Sequence, residues 1–307
     1  MQRLSPSTLA HLLLLGVVAV WGATFSLVKD SLHDASPLLF NLLRMTLAAI
    51  ALTIVNRRHL RHITRPTLAA GAIVGLFLAA GYQLQTAGLA RTTAAKSAFI
   101  TGLVVVFVPL LTAIPALRPA GTHAPRRIAF LGALLAFTGL LFLTTPAGTT
   151  ASNLFTSIGV GDLLTLLCAI AFAGHLLSLA RTSPRIPIPQ LATLQIAFAA
   201  AFMLLTLPLD QSIYLHLTPR LVLALAVTSL LATAAAFTIQ SWAQQHLPPT
   251  HTALLLTLEP VFAWLISFLF LGERLSPRSL IGAALILTGI LLTELLPTAT
   301  PTPTHPA

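Results

Sequence analysis

The stretches Leu131–Leu143 and Leu280–Leu292 are apolar around the whole circumference of a helix, with one threonine each. A helix of that kind has no polar face to turn to water. The pattern recurs along the chain. Ten stretches reach the roughly 20 mostly apolar residues that cross a hydrocarbon layer: 9–28, 37–55, 67–88, 96–116, 128–145, 162–180, 189–209, 220–242, 251–271 and 279–296. Strands of a membrane barrel would alternate apolar and polar over about 10 residues, and these do not. Inside a bilayer every backbone amide needs an internal partner, so the spans are read as helices. Composition excludes a large soluble core. Charged residues make up 8% of the chain against a usual share of about 25%, hydrophobic residues 56%, and mean hydropathy is +0.90. So few charges do not cover the surface of a soluble protein of 307 residues.

The first stretch follows Arg3 as a signal peptide would, but it runs on through Phe25 to Val28, and bulky Trp21 suits no small-residue cleavage site. It is read as a retained span. The formal charge of +10 and pI near 11.6 invite a nucleic-acid partner. Their placement argues for topology instead. With the N-terminus in the cytoplasm, Arg3, Arg57, Arg58, Arg61, Arg65, Arg118, Arg126, Arg127, Arg181 and Arg185 fall on the cytoplasmic side. The far side receives Lys29, Arg91, Lys96, Arg220, Arg274 and Arg278, ten cations against six, together with Asp30, Asp34, Asp210 and Glu273. The bias fits the positive-inside rule, with both termini cytoplasmic and no nucleic-acid role. Asp30 and Asp34 read as a solvated loop. The short loops leave no room for a soluble domain; the longest, near Thr144–Gly161, is rich in Thr, Ser and Gly, and the Pro/Thr tail 297–307 reads as disordered. The single cysteine, Cys168, excludes an internal disulfide, a cysteine-based zinc site and an iron–sulfur cluster. No metal or cofactor is expected.

The chain also repeats itself. At an offset of 150, Gly132, Ala133, Leu135, Thr138, Gly139 and Leu141 match Gly282, Ala283, Leu285, Thr288, Gly289 and Leu291. At 155, Ala98, Leu103, Val106 and Phe107 match Ala253, Leu258, Val261 and Phe262; at 151, Arg44 falls opposite Gln195. The expected organisation is a first five-helix repeat over 9–145 and a second over 162–296. An odd number of helices per repeat sends the second copy through the membrane the other way, the inverted architecture of many secondary transporters.

Trp21-Gly22-Ala23-Thr24-Phe25, Pro37-Leu38-Leu39-Phe40 leading to Arg44, and Thr93–Leu103 ending at Pro109 mark the first half. Leu258-Glu259-Pro260-Val261-Phe262, Leu271-Gly272-Glu273-Arg274-Leu275-Ser276 and Gly282–Gly289 mark the second. With these segments the chain resembles the EamA-type transporters of the drug/metabolite transporter superfamily over about residues 9–296. The resemblance implies an all-α integral membrane fold of ten helices in two inverted bundles, both termini inside, and export of small metabolites or drugs. It implies no single substrate. The first half departs from the pattern, because Val104-Val105 stand opposite Glu259-Pro260. Any role of Glu259 is therefore asymmetric.

Polar residues within the spans are the candidate site. Arg44, about seven residues into its helix, is costly unless paired or facing water. It reads either as a cavity residue for polar or anionic solute groups or as a side chain paired with carbonyls. Glu259 is the acid deep within a span. It is either a proton carrier for coupled transport or a hydrogen-bonded group stabilising a kink at Pro260. His175, mid-helix, is a titrating switch or a satisfied core histidine. Trp21 and Thr24, one turn apart, Gln83, Gln195 and Gln240 complete the cavity candidates. Tyr82 and Trp242 read as interfacial belt residues. Lys96 and His251, at the starts of equivalent helices, read as caps or anchors. Gly71, Gly75 and Ala79 form a small-residue stripe for close packing.

Three function classes compete. A secondary transporter of a small metabolite, amino-acid-like solute or drug, working by alternating access in a bacterial inner membrane, fits the repeats and scattered polar residues. An integral-membrane enzyme or flippase acting on a lipid-linked substrate needs clustered catalytic groups, and no HExxH, acidic pair or Ser/His/Asp set occurs at a membrane face. A channel needs a filter or charged ring, and none is present. There is no GxxxxGK[ST] loop for ATP drive. The partners expected are a small-molecule solute and the lipid bilayer, with monomer or homodimer left open.

Overall fold

The computed structural model describes residues 5–118, 124, 127–145, 158–210, 212–247 and 255–295. The loop within Thr144–Gly161, His251 and the tail from 297 lie largely or wholly outside these residues. Ten helices are described: α1 Pro6–Ser31, α2 Pro37–Asn56, α3 Arg65–Leu89, α4 Ala94–Thr112, α5 Arg127–Thr144, α6 Val160–Thr182, α7 Ile188–Thr206, α8 Pro219–Ala243, α9 Glu259–Leu271 and α10 Pro277–Leu295. The fold is all-α and membrane-spanning, in two five-helix repeats.

Local chemistry sets many of the starts. Pro6, Pro37, Pro66, Pro189, Pro219 and Pro277 stand in first turns, where the missing N–H costs nothing and the fixed φ suits a helix. Ser5, Thr64, Thr93 and Thr218 cap α1, α3, α4 and α8 by accepting a backbone N–H three residues on. At the end of α9, Gly272 adopts φ +65°, the left-handed conformation that stops a helix and that glycine reaches without a Cβ clash.

The packing shows the inversion. Exchanging each helix n for n+5 leaves the set of major contacts unchanged. α1–α9 maps onto α6–α4, α3–α7 onto α8–α2 and α3–α6 onto α8–α1, while α2–α7, α4–α9 and α5–α10 map onto themselves. α5 and α10 cross antiparallel through the glycines that the internal repeat had matched. A Cβ on Gly139 would lie 2.5 Å from the Gly282 carbonyl oxygen, and one on Gly282 would lie 2.6 Å from that of Gly139. Gly289 meets Gly132 in the same way. The Gly71–Gly75 stripe packs on α7 at Leu194 and Gln195, as its spacing predicts.

Two spans are interrupted. α4 breaks into Ala94–Thr101 and Val104–Thr112 at a turn over Gly102 and Leu103. α9 begins after a turn at Thr257 and Leu258, the positions that lie 155 residues on. At both turns shorter bonds replace the helical ladder, Leu103 N–H to Ile100 O at 3.1 Å and Leu258 N–H to Leu255 O at 3.1 Å. Pro260 therefore opens a helical segment and does not kink the middle of one, which corrects the sequence expectation.

One end of the bundle is stitched by charge. Among the described residues the ion pairs are Lys96–Asp162 at 3.2 Å, Arg220–Asp30 at 3.3 Å and Arg220–Asp34 at 2.8 Å, and each joins one repeat to the other. Asp34 is not the solvated loop acid expected. It is 6% exposed and accepts from Arg220 Nε and the Thr218 hydroxyl, both at 2.9 Å. Although burial pushes its carboxyl up, the Thr218 and Arg220 hydrogen bonds outweigh that and hold it below the usual carboxylate value. An isolated bridge between Ala35 and Leu215 closes the same junction. Lys29 Nζ donates to the Leu89 and Thr92 carbonyls, both at 2.8 Å, at and just past the C-terminal end of α3. Glu273 accepts the Ala94 and Ala95 N–H groups, at 3.0 and 3.1 Å, at the start of α4. A carboxylate suits a helix N-terminus, and a cation the opposite end. Lys96, read as a cap or anchor, is thus one half of an inter-repeat pair.

Candidate functional site

Six helices converge on a cavity, α1, α2, α3, α4, α6 and α8, together with the start of α9. The α4 break contributes Val104 to the lining, and the α9 break contributes Leu256 and Glu259. α5, α7 and α10 stay outside it. Gln195, read from the sequence as a cavity candidate, lies on α7.

Of the candidates, Trp21, Thr24, Arg44, His175, Gln240 and Glu259 line the cavity. Arg44 comes from α2 and is 3% exposed. Its Nε donates to Thr233 Oγ1 at 2.7 Å, and its Nη2 to the Tyr82 hydroxyl at 3.0 Å and the Ala232 carbonyl at 3.3 Å. The guanidinium also lies 4.3 Å from the centre of the Tyr82 ring. All these partners are neutral, so a full positive charge stands in the cavity wall with no carboxylate against it. Trp21 Nε1 donates to the same Ala232 carbonyl at 2.8 Å. Thr24 turns its hydroxyl back to the Trp21 carbonyl at 2.7 Å, leaving its methyl group for contact.

Glu259 sits in the first turn after the α9 break. No described residue hydrogen-bonds or ion-pairs with it. Gln240 is 2% exposed, and its Oε1 is buried with no hydrogen-bond partner among the described residues. An unpaired buried acceptor costs about 1–3 kcal/mol, which a donor on a bound molecule recovers.

His175 is tied down from behind. The Ser241 hydroxyl donates to the Phe237 carbonyl at 2.7 Å and so accepts from Gln195 Nε2 at 3.5 Å. That leaves Gln195 Oε1 facing His175 Nε2 at 3.0 Å, and the imidazole carries its proton on Nε2. Gln195 therefore supports the wall without lining it. Gln83 also stands outside. It accepts from Asn41 Nδ2 at 3.0 Å and donates to Thr206 Oγ1 at 2.9 Å, clamping α3 to α2 and α7. Both residues were read as cavity candidates, and both spend their polar atoms on neighbouring helices.

The aromatic wall escaped the sequence analysis. Trp21 and Phe237 ring centres are 5.4 Å apart, Tyr82 and Phe172 5.3 Å, Tyr82 and Phe237 6.2 Å, and His175 and Phe237 5.6 Å. These contacts make one continuous apolar surface of edges and faces. Tyr82, expected at the membrane interface, is 5% exposed and takes Arg44 on both its hydroxyl and its face. Phe172 and Phe237 have no distinguishing signal among 16 phenylalanines in apolar helices. Among the described residues no cluster of His, Cys, Asp or Glu is arranged to hold a metal ion. Cys168 is buried, with its sulfur 3.9 Å from Thr101 Oγ1.

A sequence profile described as the EamA-like transporter family matches residues 8–145 and again 159–295. An uncharacterized transporter of Archaeoglobus fulgidus is 30% identical over 279 residues, covering 91% of this chain and 83% of that protein. The uncharacterized transporter YoaV of Bacillus subtilis is 23% identical, with 91% and 94% covered. A solved crystal structure superposes with a TM-score of 0.66 at 20% identity, covering 94% of this chain and 97% of its own. At that identity it speaks for the fold alone.

Proposed function

Because the chain belongs to the EamA-like transporter family, and is therefore a membrane transporter, we propose that it exports a small metabolite, amino-acid-like solute or drug by alternating access. The units 9–145 and 162–296 rock against each other around the cavity. The setting is a bacterial inner membrane with both termini in the cytoplasm, as the ten-to-six cation bias indicates. One observation supports the reading: Arg44 and Glu259 face the same cavity, and among the described residues neither has a partner of opposite charge. A guanidinium with only neutral partners attracts anionic or strongly polar solute groups. A carboxyl with no partner is free to trade a proton for a cationic group of the solute as the cavity changes sides. The aromatic wall contributes apolar contact that tolerates a range of shapes.

The test has two stages. Cells overexpressing the chain are screened for resistance to toxic metabolites and drugs. The solute identified is then followed by counterflow in proteoliposomes. Transport that responds to an imposed pH gradient, and loses that response in Glu259→Gln, is expected. Unchanged pH-driven transport in Glu259→Gln would remove the coupling role. Turnover or flipping of lipid-linked molecules without solute movement would replace the transporter mechanism with the lipid-directed one.

A further inference from the structure

Over nine residues, Val227–Ala235, α8 leaves α-helical geometry for the wider i→i+5 bonding of a π-helix. Such stretches are rare, and where they occur they frequently mark a functional site. The equivalent helix of the first repeat, α3, also has 25 residues and is α-helical from Arg65 to Leu89. The departure is therefore peculiar to one repeat. Its effect can be followed atom by atom. The Ala236 N–H reaches the Leu231 and Thr233 carbonyls, where an α-helix would direct it to Ala232. The Ala232 carbonyl is thereby released to side chains, and it accepts from Trp21 Nε1 at 2.8 Å and Arg44 Nη2 at 3.3 Å. The next residue, Thr233, is fully buried and takes Arg44 Nε on its hydroxyl at 2.7 Å. One short stretch of α8 thus anchors cavity side chains from both α1 and α2. It fixes the guanidinium along its Nε–Nη2 edge, while Nη1 bonds to no described residue.

We propose that Thr233 and the π-helical stretch around it are the positioning element of the solute site. They hold the Arg44 guanidinium in one orientation, so that its remaining N–H groups are presented to an anionic or strongly polar solute group. The proposal rests on the reading of Arg44 as a solute contact. Thr233 is absent from the cavity lining and acts through Arg44.

The experiment uses the purified full chain in lipid nanodiscs with phenylglyoxal as the probe. Adducts at Arg44 are timed by peptide mass spectrometry, and exposed Arg91 serves as internal reference. Thr233→Val keeps the shape and removes the acceptor. Arg44 is then expected to react about tenfold faster, the factor that loss of a hydrogen bond to a charged donor allows. Thr233→Ser, which restores the hydroxyl, is expected to return the wild-type rate. Equal Arg44 reactivity in Thr233→Val and wild type overturns the proposal. In counterflow of the solute found by the resistance screen, Thr233→Val is expected to raise KM with the maximal rate kept, and Thr233→Ser to match wild type. Arg44→Gln in the same assay separates the two ideas. If it transports normally, the solute-contact reading fails and the labelling still decides positioning. If it fails to transport while Thr233→Val matches wild type in labelling and KM, the positioning role falls alone.

Discussion

The α5–α10 crossing gives a sharp stability test. In Gly139→Ala the new Cβ would lie 2.5 Å from the Gly282 carbonyl and 2.7 Å from the Ile286 nitrogen, both backbone atoms that cannot rotate away. Ordinary contact begins near 3.4 Å, so the helices must part by up to about 0.9 Å. A gap of that size forfeits roughly a quarter to a half of each dispersion contact it opens, and overpacking of this kind costs about 1–3 kcal/mol. In a membrane such contacts carry much of the helix association, because lipid supplies no hydrophobic drive between helices. Gly282→Ala makes the reciprocal clash, 2.6 Å from the Gly139 carbonyl, and should cost a similar amount. One separation relieves both clashes. The double variant should therefore lose little more than the costlier single, about 1–3 kcal/mol, and fall well short of the sum of the singles, as residues in direct contact do. Gly16→Ala is the control, with nothing within 4 Å of its Cβ, and should be neutral or slightly stabilising. The assay is equilibrium unfolding in mixed detergent micelles. Single variants within about 0.5 kcal/mol of wild type, or a double variant that is fully additive, would refute the close crossing.

Other expectations follow from the site and the charged end. Gln83→Met should cost about 1–3 kcal/mol by stranding Asn41 and Thr206, with the KM for the transported solute unchanged. Gln240→Met should do the reverse, leaving stability equal or higher because its Oε1 has no partner among the described residues to lose, while weakening solute binding. For Asp34 the carboxyl is held below its ordinary value, so its stabilising link to Arg220 is complete above that value and fades as pH falls through the lower folded one. Asp34→Asn should therefore differ from wild type at about pH 7 and converge with it in acid, once pH has fallen below the folded value; an equal difference throughout would contradict the assignment. Glu273→Gln keeps one acceptor oxygen for two amides, so hydrogen exchange at Ala94 or Ala95 should quicken, with a cost of about 1–2 kcal/mol.

Helix number, the repeat and the close packing at the Gly71–Gly75 stripe were legible in the sequence because the bilayer imposes them: apolar length makes a span, and small residues at fixed spacing make a close contact. Arg44 and Glu259 stood out for the related reason that charge is rare where lipid is the solvent. The rest was hidden by ambiguity of direction. A glutamine in a span shows no sign of whether it faces a cavity, as Gln240 does, or a neighbouring helix, as Gln83 and Gln195 do. Asp34 looked like a loop acid because Arg220, its partner, lies 186 positions away. The π-helical stretch Val227–Ala235 is written in Val, Ala, Leu, Thr and Ser that would serve equally in an α-helix.

The released carbonyl of Ala232 bears on how the site is to be mapped. Side-chain replacement detects groups that side chains carry. Here a main-chain oxygen holds both an indole and a guanidinium, and an alanine scan passes over its residue because that residue is alanine already. A functional map built from such a scan would credit Trp21 and Arg44 and leave blank the atom they share. An amide-to-ester exchange at the Ala232–Thr233 linkage, which weakens that oxygen as an acceptor and leaves every side chain in place, would make it visible.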